Sequence, residues 1–211
     1  MSDPSEARIR AHYAQLLAQH GDGPAAAQYS SKASQEARYA ILAQVAPLGG
    51  THVLDWGCGT GHLATWLAEQ RIDCRYTGVD VVPELLGVAR VKHPSHRFGA
   101  LDDFDGERFD WALVSGVFNN RREDNLSFFQ DNLRALWSRC DRGIAFNLMS
   151  TWVDYQDPGL WYARPEDVFA FMKSLTPYVT VRNDYVVKSS PVPFEFAVYA
   201  YRLPSWSPAC G

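Results

Sequence analysis

The chain has 211 residues, 46% hydrophobic and 21% charged, with a formal net charge of −4. This is ordinary usage for one globular domain, so disorder, collagen and coiled coil are excluded, and the acidic balance disfavours nucleic acid as a partner. No run approaches the ~20 apolar residues of a membrane span, so no membrane partner is expected.

The opening MSDPSEARIR is too polar for a secretory signal. Cys58, Cys74, Cys140 and Cys210 form no C-x-x-C pair, which argues against a metal site or a disulfide framework and fits a cytoplasmic protein. Along the chain, Ile9, Tyr13, Leu16 and Leu17 mark a first helix from about Asp3 to Gln19, broken at His20-Gly-Asp-Gly-Pro24. A second helix is expected from Lys32 to Val45, capped by Ser30 or Ser31.

After Gly49-Gly50 the pattern becomes alternating strands and helices. Strands are expected at Thr51–Trp56, Tyr76–Asp80, His96–Gly99, Phe109–Ser115 and Gly143–Leu148. Helices are expected at Leu63–Gln70, Pro83–Val91 and around Leu126–Trp137. This alternation implies an α/β fold whose parallel sheet is covered on both faces. A helix over Pro165–Leu175 then precedes two long strands, Tyr178–Lys188 and Phe194–Arg202, whose short connection makes them antiparallel. The division is a helical cover over 1–48, the main domain over 49–204 and a loose tail over 205–211.

The most informative segment is Val53-Leu-Asp-Trp-Gly-Cys-Gly-Thr-Gly-His-Leu63, which follows a strand and opens a helix. Gly57, Gly59 and Gly61 permit a tight turn and close backbone approach to a ligand. The free N–H groups at the helix start favour a negative group. Asp55 closes the strand, placed to accept hydrogen bonds from a ligand ammonium. Asp80 ends the next strand, where an acid can accept both hydroxyls of a ribose. A dinucleotide fingerprint, G-x-G-x-x-G/A, needs a small residue at position 62, which holds His62. The third glycine falls one residue early, against a bound pyrophosphate.

These residues resemble the class I S-adenosylmethionine-dependent methyltransferases. LDWGCGTGHL resembles that family's first motif and Val79-Asp80 its second. Leu101-Asp102-Asp103 is similar to its adenine-contacting loop, and FDWALVS at 109–115 to its fourth strand. Trp56 departs from the smaller apolar residue usual there.

The resemblance implies a Rossmann-like, seven-stranded, mostly parallel sheet with an antiparallel last strand, helices on both faces and an N-terminal helical cover. It implies S-adenosylmethionine as cofactor. Asp55 and Gly57 would hold its methionine part, with Cys58, Gly59 and Gly61 in the same loop. Asp80 would bind ribose, Val81 and the Leu101–Asp102 pair would flank adenine, and Ser115 to Val117 would lie below the sulfonium. Arg38 would pair with the cofactor carboxylate.

The Asn/Asp-Pro-Pro-Tyr/Phe run of enzymes that methylate amide or base nitrogens is absent; the position reads Ser115-Gly-Val-Phe-Asn119. A small-molecule acceptor, methylated on oxygen or nitrogen, is the leading expectation. A protein or RNA acceptor, or a nucleoside-binding protein without catalysis, stand as alternatives. Asn119 and Asn147, near the ends of the fourth and fifth strands, are candidates for touching the acceptor or assisting the reaction. Trp152 and Tyr155, with Trp161 and Tyr162, lie in an aromatic loop too long for a plain connection and are candidates for the acceptor wall. Candidate bases for a hydroxyl acceptor are His12, His20 and Asp154.

Overall fold

In a computed structural model the described residues are 4–188 and 192–204. The expected tail over 205–211 and part of the link between the last two strands lie outside them. Helix α1 spans Pro4–His20, and after a 3-10 turn over Pro24–Ala27 helix α2 spans Lys32–Leu42. The Ser31 side chain caps α2 by accepting from Ser34 N, satisfying one of the donors that a helix start leaves free.

The sheet then builds from β1 (His52–Trp56), α3 (His62–Glu69), β2 (Arg75–Val79), α4 (Pro83–Lys92), β3 (Arg97–Gly99) and β4 (Phe109–Val114). It continues with α5 (Asn125–Arg139), β5 (Cys140–Ser150), β6 (Tyr162–Ala163), α6 (Pro165–Leu175), β7 (Tyr178–Arg182) and β8 (Glu195–Tyr201).

Strand order is β3-β2-β1-β4-β5-β8-β7, with β6 pairing β5. β8 runs antiparallel to both β5 and β7; β1 to β6 pair in parallel. The expected seven-stranded arrangement is present, with the two-residue β6 added. The first C-terminal strand ends at Arg182 rather than Lys188, because Arg182 clasps Asp184 with its Nε at 2.7 Å and the chain turns away. β5 is longer than expected and begins at Cys140, directly after α5.

Alternation along the central strands feeds two cores. Val53, Leu113 and Ala145 pack with Tyr39 and Leu42 of α2, Leu63 and Leu67 of α3, and Leu86 of α4. Leu54, Ala112, Ile144 and Phe146 face the other way, onto Phe129, Leu133 and Leu136 of α5 and Met172 of α6. At about 1.5–3 kcal/mol per fully buried large apolar side chain, both helix layers are needed to close the sheet. α2 is therefore part of the core, whereas α1 packs over the rim. Between β1 and β4 the strand order reverses, and open α/β sheets bind ligands beyond the carboxyl ends of the strands at such a point.

Candidate active site

A cavity of about 780 Å³ opens at that switch point, within the usual range for small-molecule and cofactor sites. Its floor is the glycine loop after β1, the end of β2 and the Ser115–Asn120 segment after β4. Its roof is α1 and the Asp22–Tyr29 segment.

The loop turns sharply because Gly57 N and Cys58 N both donate to Val79 O, at 2.8 and 3.0 Å. That geometry needs the left-handed φ of +81° at Gly57. A Cβ on Gly57 would lie 2.3 Å from Val117 Cγ2, so the loop and the turn after β4 are in contact there. A Cβ on Gly59 would meet nothing within 4 Å. The cradle is therefore open at Gly59 and closed by protein at Gly57.

Asp55 is buried at the end of β1 and accepts from Tyr76 Oη at 2.5 Å. Burial pushes its carboxyl up to about 7, with Asp80 adding to the rise and the Tyr76 bond opposing it. Asp80 accepts from Gly59 N on one oxygen and from Val82 N on the other, both at 2.9 Å. Its carboxyl is also raised by burial, against the pull of those backbone donors. It thus fixes the open part of the loop and keeps lone pairs for a ligand. Val81 and Leu101 line the cavity beside it; the exposed Asp102 does not.

Cys58 lines the cavity with its thiol raised well above the usual range by burial, which makes it a poor nucleophile. Trp56 is accommodated by stacking against Phe118 and Phe128, with ring centroids 5.5 and 6.1 Å away. Its bulk is absorbed by the α5 side of the sheet.

Other expected residues are placed differently. Arg38 lines the cavity, but its guanidinium already has partners. Nε and Nη2 reach Glu195 Oε2 at 2.7 and 2.6 Å, and Nη1 donates to Ser34 O and Oγ. Asn147 is buried behind the cavity and does not line it. Its Oδ1 accepts from Gly116 N at 2.8 Å and its Nδ2 donates to Glu195 Oε1 at 3.2 Å. The expectation that it touches an acceptor is corrected: a backbone neighbour and a carboxylate use both ends of the amide.

Trp152 and Tyr155 are also corrected, being 64% and 73% exposed and outside the cavity lining. Arg121 reaches across the loop to Pro158 O and Leu160 O. That folds Asp157, Gly159 and Leu160 into the cavity wall and leaves the two aromatics toward solvent. His12, His20 and Asp154 do not line the cavity either.

Asn119 does line it, and its Oδ1 is buried with no hydrogen-bond partner in the structure. Ser115 lines it as well, and Tyr29 Oη lies 3.1 Å from Ser115 Oγ. A second clasp joins roof to floor: Asn120 Nδ2 donates to Tyr13 Oη at 2.8 Å, and Tyr13 Oη donates to Gln28 Oε1 at 2.9 Å. Tyr13, Gln28, Tyr29 and Asn120 were not legible as site residues, because their partners are far away in sequence. Glu195 left a signal, an acid inside the apolar run FEFAVYAY.

A family described as a methyltransferase domain matches residues 53–138. A Mycobacterium tuberculosis protein named as a methyltransferase is 28% identical over 141 residues, 62% of this chain and 84% of that protein. The chain carries a methyltransferase domain, in line with its resemblance to the S-adenosylmethionine-dependent methyltransferases.

Solved structures agree on its fold. The magnesium protoporphyrin IX methyltransferase of Synechocystis, with bound S-adenosylmethionine, has a TM-score of 0.67 and 16% identity. That match covers 96% of this chain and 99% of the other. The 1,6-didemethyltoxoflavin-N1-methyltransferase of Burkholderia thailandensis has a TM-score of 0.63 and 19% identity, covering 97% and 92%. A [4+2]-cyclase, SpnF, also matches, with a TM-score of 0.60 and 17% identity over 85% and 75%. The fold by itself does not choose a reaction.

The methyltransferase site fits its cofactor where the cradle is open. Gly59 leaves room for close approach, and Asp55 and Asp80, which line the cavity, would hold an ammonium and a ribose. Asp80→Ala is expected to weaken cofactor binding by about 1.5–3 kcal/mol, the worth of hydrogen bonds to a charged group. The variant also releases Gly59 N and Val82 N, while the domain stays folded. Calorimetric titration with S-adenosylhomocysteine measures the loss; an unchanged dissociation constant removes Asp80 from the ribose site.

Proposed function

We propose that the protein transfers a methyl group from S-adenosylmethionine to an oxygen or nitrogen atom of a small-molecule acceptor. The observation that carries this reading is the roofed outer half of the cavity. Ile9, Tyr13, Tyr29, Met149, Leu160 and Phe194 line the cavity with apolar and aromatic surface, Asn119 and Asn120 add neutral polar groups, and Glu6, Arg122, Asp157 and Lys188 add charged ones. Such a pocket suits a small organic molecule. A macromolecular acceptor would have to pass beneath α1 and the Tyr13–Asn120 clasp.

The cofactor supplies an activated methyl group, so the protein's task is to orient the acceptor and exclude water. Tyr13 and Tyr29 stay protonated, since burial raises both phenols above their ordinary range. They act as hydrogen-bond donors and not as bases. With both phenols unavailable as bases, the site suits an acceptor that brings its own nucleophile, a neutral amine or an acidic hydroxyl already close to ionisation.

Two relatives by fold are named for small molecules, a magnesium porphyrin and a toxoflavin precursor, in line with this reading. Transfer of a radiolabelled methyl group to extract fractions sorted by size tests it. Label in the small-molecule fraction is expected; label only in protein or RNA overturns it.

The roof makes a second expectation. Deleting residues 1–31 removes α1, the Pro24–Ala27 turn and the Ser31 cap, the last worth about 1 kcal/mol, but leaves α2 in the core. The truncated protein is expected to fold, and methyl transfer to fall about tenfold or more as the acceptor loses its orientation. Circular dichroism and the same labelling assay measure the two effects. Full activity in the truncated protein dismisses α1 as a lid.

A further inference from the structure

Glu195 begins β8 and is 1% exposed. A carboxylate that deep is retained only if its lone pairs are taken, and four side-chain bonds take them. Arg38 Nε and Nη2 reach Oε2, while Asn147 Nδ2 and Tyr185 Oη donate to Oε1 at 3.2 and 3.1 Å. These partners come from α2, from β5 and from the segment after β7.

Through Asn147 the connection continues, since Asn147 Oδ1 accepts the N–H of Gly116. Gly116 sits in the turn after β4 with a left-handed φ of +73°. Next to it Val117 occupies the space beside Gly57, with its Cγ2 only 2.3 Å from where a Cβ on Gly57 would stand. A shift of the 115–117 turn is therefore felt by the glycine loop.

We propose that Glu195 is a positioning residue: through Asn147 it sets the Ser115–Val117 turn against the glycine loop, and through Arg38 it seats α2 over the same cavity. Glu195 is not itself part of the cavity lining and meets it through Arg38. It acts by holding two walls of the site in one register. This rests on the reading of the cavity as the cofactor and acceptor site.

Removing either charge alone leaves its partner buried without a counter-charge, which is destabilising; Arg38→Met serves only as the reference in which Glu195 keeps its bonds to Asn147 and Tyr185. The test therefore uses Arg38→Met/Glu195→Leu, in which both charges go, and Arg38→Met/Glu195→Gln, whose amide oxygen still accepts from Asn147. Both are compared with Arg38→Met at a temperature where circular dichroism shows each folded. S-adenosylhomocysteine is the calorimetric probe, and exchange of the Gly116 amide proton, followed by NMR, is the second readout.

With Glu195→Leu, Gly116 exchange is expected to quicken and S-adenosylhomocysteine binding to weaken, each about tenfold, as the Asn147 bond loses its anchor. With Glu195→Gln both are expected to return to the Arg38→Met values. A merely structural ion pair predicts the same Gly116 exchange and the same affinity in all three variants, and that result overturns the proposal. Wild-type protein that fails to bind the probe overturns the reading of the cavity and the proposal with it. A wild type that binds, beside variants that do not differ, overturns the proposal alone.

Discussion

Gly57→Val is expected to abolish cofactor binding while the domain stays folded. Its backbone sits at φ +81°, a region closed to branched side chains. The new Cβ would stand 2.3 Å from Val117 Cγ2, so the glycine loop or the turn after β4 must move. Backbone strain and overpacking each cost about 1–3 kcal/mol, together below the middle of the roughly 5–15 kcal/mol that usually separates native from unfolded protein. The site is lost before the fold. Calorimetry with S-adenosylhomocysteine beside a thermal melt separates the two. Because the clash is with Val117 and not with open ligand space, Val117→Ala should restore part of the binding to Gly57→Ala. Normal binding by Gly57→Val reduces the loop to a structural turn.

The glycine loop was legible in the sequence because its information is local. Asp55, Gly57, Gly59 and Gly61 lie within seven positions, and the backbone path that the glycines permit is the path found. The parallel sheet was legible for a similar reason: each strand is a short apolar run between helix signals. What escaped is what depends on distant pairing.

Arg38 and Glu195 are 157 residues apart, and Tyr13 and Asn120 are 107 apart. No local pattern joins either pair. The 150–162 loop misled for another reason. Aromatic content shows that a loop carries apolar surface but not which way each ring points. Trp161 turns in against Phe129, with centroids 5.7 Å apart. Trp152 instead gives its Nε1–H to Glu166 at the surface. Asn147 shows both sides of the problem. Its place near the end of the fifth strand followed from the sequence; that its amide would be held by Gly116 and Glu195 did not.

Cofactor affinity is expected to rise with pH and level off above about 7. The carboxyl of Asp55 is raised to about 7 by burial, with Asp80 adding to it. In the ligand-free protein this raised value means stability that is present at low pH and lost as pH climbs from the ordinary aspartate range through about 7. A ligand ammonium beside Asp55 reverses the balance, favouring the carboxylate and lowering its pKa.

Binding then releases a proton below pH 7, and the dissociation constant should fall about tenfold per pH unit there. Cys58 does not titrate in this window, since burial raises its thiol well above the usual value. His62, held by Glu36 at 3.1 Å, is the imidazole that lines the cavity, so it must be tested separately. Calorimetry with S-adenosylhomocysteine at pH 5.5 to 8.5, in buffers of different ionisation enthalpy, measures the slope and the protons released. Asp55→Asn should flatten the slope, whereas His62→Gln should leave it in place. A slope that persists in Asp55→Asn would remove Asp55 as the titrating group, and with it the ammonium site at the end of β1.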